Sequence, residues 1–239
     1  MRAAAAALVA VALVTAGCGG GDAEDAAGAA VAPVAGVPAP AVGRALVAFV
    51  GAAGEGDADA TWALLSPETR ASMGPTLPEF RRGVAADLEQ GLGDLAGRAE
   101  VVLARRVGRW GLAAVAGERV VEGEREHYAY AAAFRLVRGE WRVELGGAVA
   151  ALLEPGPLDE TDAEPEIGVK LDASGPLKQA LMWLDDRPQA VRRRDEGPFS
   201  ARLSGRVDRP LAPGFHTAVA LATTPDTAAA AAWPFEVRG

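Results

Sequence analysis

Val42, Leu46, Phe49 and Val50 recur at intervals of three and four, which predicts an amphipathic helix that stops at Gly54, Gly56 and Asp57. Asp57 or Asp59 then caps a short helix carrying Trp62, Leu64 and Leu65, closed by Ser66 and Pro67, with a further turn through Met73. A third helix is predicted with Pro78 in its first turn and with Leu77, Phe80, Val84, Leu88, Leu92 and Leu95 as its apolar stripe. After Gly97 the period changes to two. The runs AEVVLARRV, RWGLAAVAG, REHYAYAAAFRLV and EWRVEL, parted by Gly108, Gly117, Gly123 and Gly139, predict four antiparallel strands. A turn at Arg138, Gly139 and Glu140 brings Phe134 and Leu136 beside Trp141, Val143 and Leu145 on one face. Helices followed by a meander predict an α+β body over residues 41–153.

Period two continues in a second body, residues 167–239. Ile167, Val169 and Leu171 alternate, residues 177–184 form an apolar run, and Asp185, Asp186, Arg187 and Pro188 make a turn. Phe199, Ala201, Leu203, Gly205 and Val207 alternate with Ser200, Arg202, Ser204 and Arg206, and Thr217, Val219 and Leu221 alternate with Ala218 and Ala220. Trp233, Phe235 and Val237 form a last strand. Short strands parted by Pro and Gly predict an all-β sandwich. Between the two bodies, residues 154–166 hold six acidic residues and three prolines in thirteen, which predicts an interdomain linker and a variable pose of the two bodies.

Residues 1–18 follow a third pattern: Arg2, an apolar stretch over 3–14, then Thr15, Ala16 and Gly17 before Cys18. The stretch is too short for a comfortable span and reads as a signal peptide. The placement of Cys18 resembles the lipobox of bacterial lipoproteins, which implies a lipidated Cys18 as the mature N-terminus, with unlipidated secretion as the alternative. Residues 19–40 lack large side chains and are broken by Pro33, Pro38 and Pro40, so they are expected to form a flexible tether. Cys18 is the single cysteine, so the rest of the chain is expected to hold together by packing alone.

Two further resemblances bear on the fold. The segment AFVGAAGEGDADATWALLSPETRASM, with the closing FRLVRGEWRVEL, is similar to the NTF2-like superfamily, particularly its small secreted members. That resemblance implies a cone in which a curved antiparallel sheet wraps around helices. LAPGFHTAVALA, followed by AWPFEVRG, resembles the last two strands of bacterial immunoglobulin-like modules, and LMWLDDRP resembles their middle strand and turn, with Asp186 where the module carries Gly.

Composition narrows the function classes. With 24 Lys and Arg against 32 Asp and Glu the charge is −8, which argues against a nucleic-acid partner. Two histidines, His127 and His216, and no cysteine beyond Cys18 leave too few N and S ligands for a zinc site, and no cofactor fingerprint stands in context, so no cofactor is expected. Inside an NTF2-like cone the pocket candidates are Tyr128, Tyr130, His127 and Asp57. Strand alternation sets both tyrosines on one face and His127 on the other, and Asp57 fits a helix cap better than a pocket. His216, after a Pro-Gly turn, is expected to hold that turn by a side-chain hydrogen bond. Arg192, Arg193 and Arg194 read as a solvated strand, with anionic wall polymer or lipid headgroups as the alternative contact. The expectation is an extracytoplasmic lipoprotein on the outer face of the cell membrane, with a noncatalytic binding or scaffolding role toward an envelope protein. The alternative is a small hydrophobic ligand receptor, or a weak isomerase or hydratase, using the cone.

Overall fold

Pro40, Pro67 and Pro78 each stand in the first turn of a helix, and side-chain acceptors at Asp57 and Ser66 cap two of the helices. The computed structural model describes residues 28–239 except 122, 123 and 147. After two short strands, β1 (Ala29–Val31) and β2 (Val37–Pro38), come α1 (Pro40–Gly54), α2 (Ala58–Leu64), α3 (Pro67–Met73), α4 (Leu77–Gly83) and α5 (Ala85–Leu92). Val42, Leu46, Phe49 and Val50 are the buried face of α1. Asp57 caps α2 by accepting from the Ala60 amide at 3.0 Å, and Ser66 caps α3 by accepting from the Thr69 amide at 3.0 Å. At the start of α4 the Thr76 amide donates to Glu79 at 3.1 Å. The expected single third helix is instead broken at Val84 into α4 and α5, followed by a 3₁₀ turn over Gly93–Leu95. Gly83 ends α4, where its backbone freedom weakens the helix.

The strands that follow are β3 (Glu100–Val107), β4 (Trp110–Val121), β5 (Glu124–Val137), β6 (Glu140–Glu144), β7 (Ala148–Glu154), β8 (Glu160–Thr161), β9 (Glu166–Ala173), β10 (Gln179–Leu184), β11 (Arg187–Gln189), β12 (Val191–Asp195), β13 (Ser200–Arg206), β14 (Gly214–Thr223) and β15 (Ala228–Val237). They make three five-stranded sheets. A helix-backed sheet has the order β2-β3-β4-β5-β6, a middle sheet β11-β10-β14-β15-β8, and an outer sheet β1-β12-β13-β9-β7. In the helix-backed sheet Phe134 lies opposite Val143 and Leu136 opposite Trp141, across a turn whose Arg138 and Gly139 both have positive φ. Asp185 and Asp186 also have positive φ, as the two-residue turn between β10 and β11 requires, and Asp tolerates that region better than most side chains.

Three apolar cores stack these layers. Val42, Leu46, Phe49 and Phe80 of the helices pack on Ala113, Val115, Phe134 and Val143 of the helix-backed sheet. The middle and outer sheets form a β-sandwich around Ile167, Val169, Leu203, Met182, Trp233 and Phe235. A third core joins the two bodies: Leu103, Leu112, Ala131 and Ala133 of the helix-backed sheet meet Leu181, Trp183, Val219, Leu221, Ala228 and Ala232 of the middle sheet. Trp183 is fully buried there, and burying each such Leu or Val stabilises by about 1.5–3 kcal/mol. Alanines on both sides let β5 and β15 approach until Cα atoms lie within 8 Å, closer than the usual ~10 Å between stacked sheets.

This seam corrects the expected domain plan. The bodies share an apolar interface, so a variable pose is excluded in this fold. Residues 148–153, expected at the end of the first body, and Glu154, expected in the linker, pair as β7 with β9 in the outer sheet, with a register shift between Ala150 and Leu152. The acidic stretch is also pinned: Glu160 and Thr161 pair in parallel with β15, and the Leu158 amide donates to the Pro234 carbonyl at 2.9 Å. Part of the expected tether is strand as well, with β1 paired to β12 and β2 paired to β3. The N-terminal segment thus touches the outer sheet and then the helix-backed sheet. Cys18 and the signal-peptide stretch lie outside the described residues.

Candidate functional site

The site arises where β6 stops. It pairs with β5 only over Ala133–Val137 of β5, and the chain then crosses at Gly146 to β7 in another sheet. Tyr130 and its neighbours Ala131 and Ala132 are left with no strand beside them on that side among the described residues. A cavity of about 330 Å³ fills the gap. Leu88 and Leu92 of α5 wall it on the helix side, Leu145 at the crossing, and Ala148, Ala150 and the alanines of β15 on the sandwich side. Its cause is composition: the YAAA run of β5 and the five alanines that open β15 put methyl groups where larger side chains would have met.

The polar groups at the cavity are few. Tyr130 is half-buried and lines it, stacked 6.5 Å from Phe49, and burial of its hydroxyl pushes the phenol above the usual tyrosine range. It therefore stays a neutral donor and acceptor at ordinary pH. Asp87 of α5 stands exposed at the mouth. Glu144, 3% exposed, reaches the wall with both oxygens engaged: Arg135 donates to them from Nε and Nη2, each at 3.1 Å. Arg135 also pairs with Glu68 of α3 at 3.1 Å, donates to the Asp226 carbonyl in the β14–β15 turn, and lies 5.0 Å from the Trp110 ring. The carboxylate is thus fixed in a clamp that ties α3, β6 and the sandwich together, and the paired guanidinium favours its ionised form.

Of the four pocket candidates read from the sequence, only Tyr130 lines the cavity. Tyr128 shares its face but packs into the helix-side core, where its phenol covers Gly117 so closely that a Cβ there would come within 2.5 Å of the hydroxyl oxygen. His127 points to the opposite face, as strand alternation requires. It stacks on Phe215 of β14 with ring centroids 3.4 Å apart, and its Nε2 lies 3.4 Å from Glu118. Asp57 is spent on the α2 cap, since its Oδ1 accepts from Ala60 and its carbonyl accepts from the Thr61 hydroxyl at 2.7 Å. The residues missed were Asp87, Leu88 and Glu144. Leu88 stood in the predicted apolar stripe, but nothing local distinguished it from a core position, and Glu144 gave no sign of burial at the end of a short strand.

His216 lies apart from this site. Its Nε2–H donates to the Ala212 carbonyl at 2.8 Å, and its Nδ1 lies 2.5 Å from Asp185, whose other oxygen accepts from the Thr217 amide at 2.8 Å. The ring joins the turn before β14 to the β10–β11 turn. No protein-family model and no curated protein matches the chain. Among the solved structures that match, a pair of tandem immunoglobulin domains of titin aligns with 59% of this chain and 98% of that one, at 8% identity and a TM-score of 0.27, a likeness too loose to carry fold or function.

Proposed function

We propose that this chain is a noncatalytic binding protein of the cell envelope, held on the outer face of the membrane by a lipidated Cys18, that takes a small apolar ligand in the cavity between α5, β5 and β15. The observation that carries the reading is the cavity itself: about 330 Å³, walled by Leu and Ala, with one neutral phenol inside. That volume sits at the small end of ligand pockets, roughly 300–1,000 Å³, and the pattern of apolar walls with a sparse polar group is the usual one for such sites. Binding is favoured over turnover because Glu144 is held by Arg135 and Asp87 stands at the mouth rather than inside. Five helices before a meander sheet support the NTF2-like reading of the first body. The two-sheet sandwich closed by the β14–β15 hairpin supports the immunoglobulin-like reading of the second.

The test is saturable binding of the fluorescent apolar probe N-phenyl-1-naphthylamine, together with a rise in Tm, since a ligand that binds only the folded state stabilises it by mass action. Leu88→Trp, which fills the cavity from α5, is expected to abolish both while leaving the circular dichroism spectrum unchanged. Binding untouched by Leu88→Trp overturns the site, and turnover of a carbonyl substrate that depends on Tyr130 overturns the noncatalytic reading in favour of an isomerase or hydratase. Lipidation is read by mass spectrometry as a thioether-linked diacylglycerol on Cys18.

A further inference from the structure

We infer that the β1–β12–β13 edge of the outer sheet is a membrane-docking face that meets anionic lipid headgroups, an inference that rests on the anchored reading of Cys18 above. Residues 191–206 carry five arginines against Asp195 and Glu196, a local charge of 5 − 2 = +3 in a chain of −8. Alternation puts Arg192, Arg194, Arg202 and Arg206 on the side away from Val191, Ala201 and Leu203, which are buried. Register sets Arg194 opposite Arg202, and Arg202 opposite Lys170, so three cations lie in one row across β12, β13 and β9. Like charges facing one another across strands destabilise a sheet. The protein compensates only part of this row: Glu154 pairs with Arg202 at 3.1 Å and Glu196 with Lys170 at 3.4 Å. Arg192, Arg194 and Arg206 are exposed and have no ion-pair partner among the described residues. Of the outward acids, Glu166 lies opposite Arg206 in register, Glu154 pairs with Arg202 and Asp172 lies opposite Ser200, so the side with no acid opposite its arginines is the one toward β1, at Arg192 and Arg194.

The path of the chain supplies the second observation. Ala29 and Ala30 of β1 pair in register with Arg193 and Arg192, so the N-terminal segment leaves the fold beside these arginines. Cys18 is ten residue steps before Gly28, which limits their separation to about 35 Å. An acyl chain on Cys18 therefore holds this edge, rather than the helices, near the lipid surface. The two acyl chains of a diacylglycerol retain the chain on the bilayer by themselves, so a basic patch beside the attachment point sets which face of the fold turns toward an anionic surface. Tethering raises the local concentration of headgroups enough that a few arginines suffice. At the tip of the same β12–β13 hairpin Phe199 is 47% exposed, an aromatic side chain suited to the headgroup layer.

The chain from Cys18 onward, coupled through the Cys18 thiol to a maleimide lipid, is placed on vesicles of phosphatidylcholine alone or mixed with phosphatidylglycerol, and arginine reactivity toward phenylglyoxal is mapped by mass spectrometry. Arg192, Arg194 and Arg206 are expected to react about fivefold or more slowly on the anionic vesicles, with Arg82 of α4 unchanged and the difference removed by high salt. Arg192→Glu combined with Arg194→Glu is expected to remove the protection of Arg206. Equal rates on both vesicles, or equal protection of Arg82, overturn the docking face. Protection by soluble poly(glycerol phosphate) but not by vesicles assigns the face to a wall polymer and overturns it also. Because the coupling uses the thiol directly, failure of the face is distinguishable from failure of the anchor, which shows as a native Cys18 without diacylglycerol.

Discussion

Arg135 holds Glu144, Glu68 and the Asp226 carbonyl at once, and its loss would leave Glu144 as a buried carboxylate without its cation. Breaking one side of a buried pair costs about 3–5 kcal/mol, and Arg135 is itself 23% exposed, so Arg135→Ala is expected to cost about 3 kcal/mol in urea denaturation. Replacing both partners by Leu should recover most of that loss, because the one carboxylate then left without Arg135 is Glu68, which is half-exposed to water. Tyr130 gives a pH dependence. In the unfolded chain a tyrosine ionises near pH 10, whereas burial holds the Tyr130 proton to higher pH, so the folded state keeps a proton that the unfolded state releases. Its contribution is intact below about pH 10 and is lost above it, at up to about 1.4 kcal/mol per pH unit. Denaturation midpoints measured from about pH 9 to about pH 11 should fall more steeply in the native chain than in Tyr130→Phe. Alternation alone puts Tyr130 on one face of its strand; that it lines a cavity depends on α5 and β15, which lie far from it in the chain.

At the scale of elements, α1 and the β5–β6 hairpin were legible because each is amphipathic and locally closed. Val42, Leu46, Phe49 and Val50 mark one helix face whatever lies beyond it, and Arg138 and Gly139 fix the hairpin turn. The fit of α1 to its sheet is tighter than periodicity tells. A Cβ on Gly111 of β4 would come within 2.9 Å of a Val42 methyl and 3.0 Å of the Phe134 Cβ, both in the packed core. Gly111→Ala is therefore expected to destabilise by about 1–3 kcal/mol through overpacking, measured as a lower denaturation midpoint, although alanine is ordinarily no worse than glycine in a strand. The strands β10 and β14 held a further signal. QALMWL and HTAVALA are apolar in both phases of the alternation, the mark of strands covered on both faces. Ala218 and Ala220 face the outer sheet, and Val219 and Leu221 face the helix-backed sheet. Small alanines hid the second covered face by reading as neutral spacers.

At the scale of the whole molecule the three cores make the two bodies one folding unit. Calorimetry is expected to give a single transition with the calorimetric and van't Hoff enthalpies equal, and two resolved transitions would contradict the shared core. Residues 148–239 expressed alone would expose Leu181, Trp183, Val219 and Leu221 together, so that fragment is expected to self-associate in sedimentation and to bind an apolar dye, unlike the full chain. The acidic, proline-rich stretch 154–166 read as a free linker because composition reports what a segment cannot bury. It does not report backbone hydrogen bonds such as those from Leu158 and Glu236 that pin it to β15. The same holds for residues 28–38, whose Ala, Gly and Pro side chains gave no hint of pairing.

Those eleven residues run from β12 to β3, and their geometry decides how the molecule answers a mechanical pull from the N-terminal direction. Tension would open β1 from its free end, parting Ala29 from Arg193 first, then reach Val37 and Pro38, one pair of residues at a time rather than all in shear. Unpeeled, residues 28–39 lengthen the leash by at most about 40 Å while every helix and both sheet stacks stay folded. Under the anchored reading proposed above, a pull on the N-terminal segment would thus be absorbed by a sacrificial ribbon before it could reach the cavity between α5, β5 and β15.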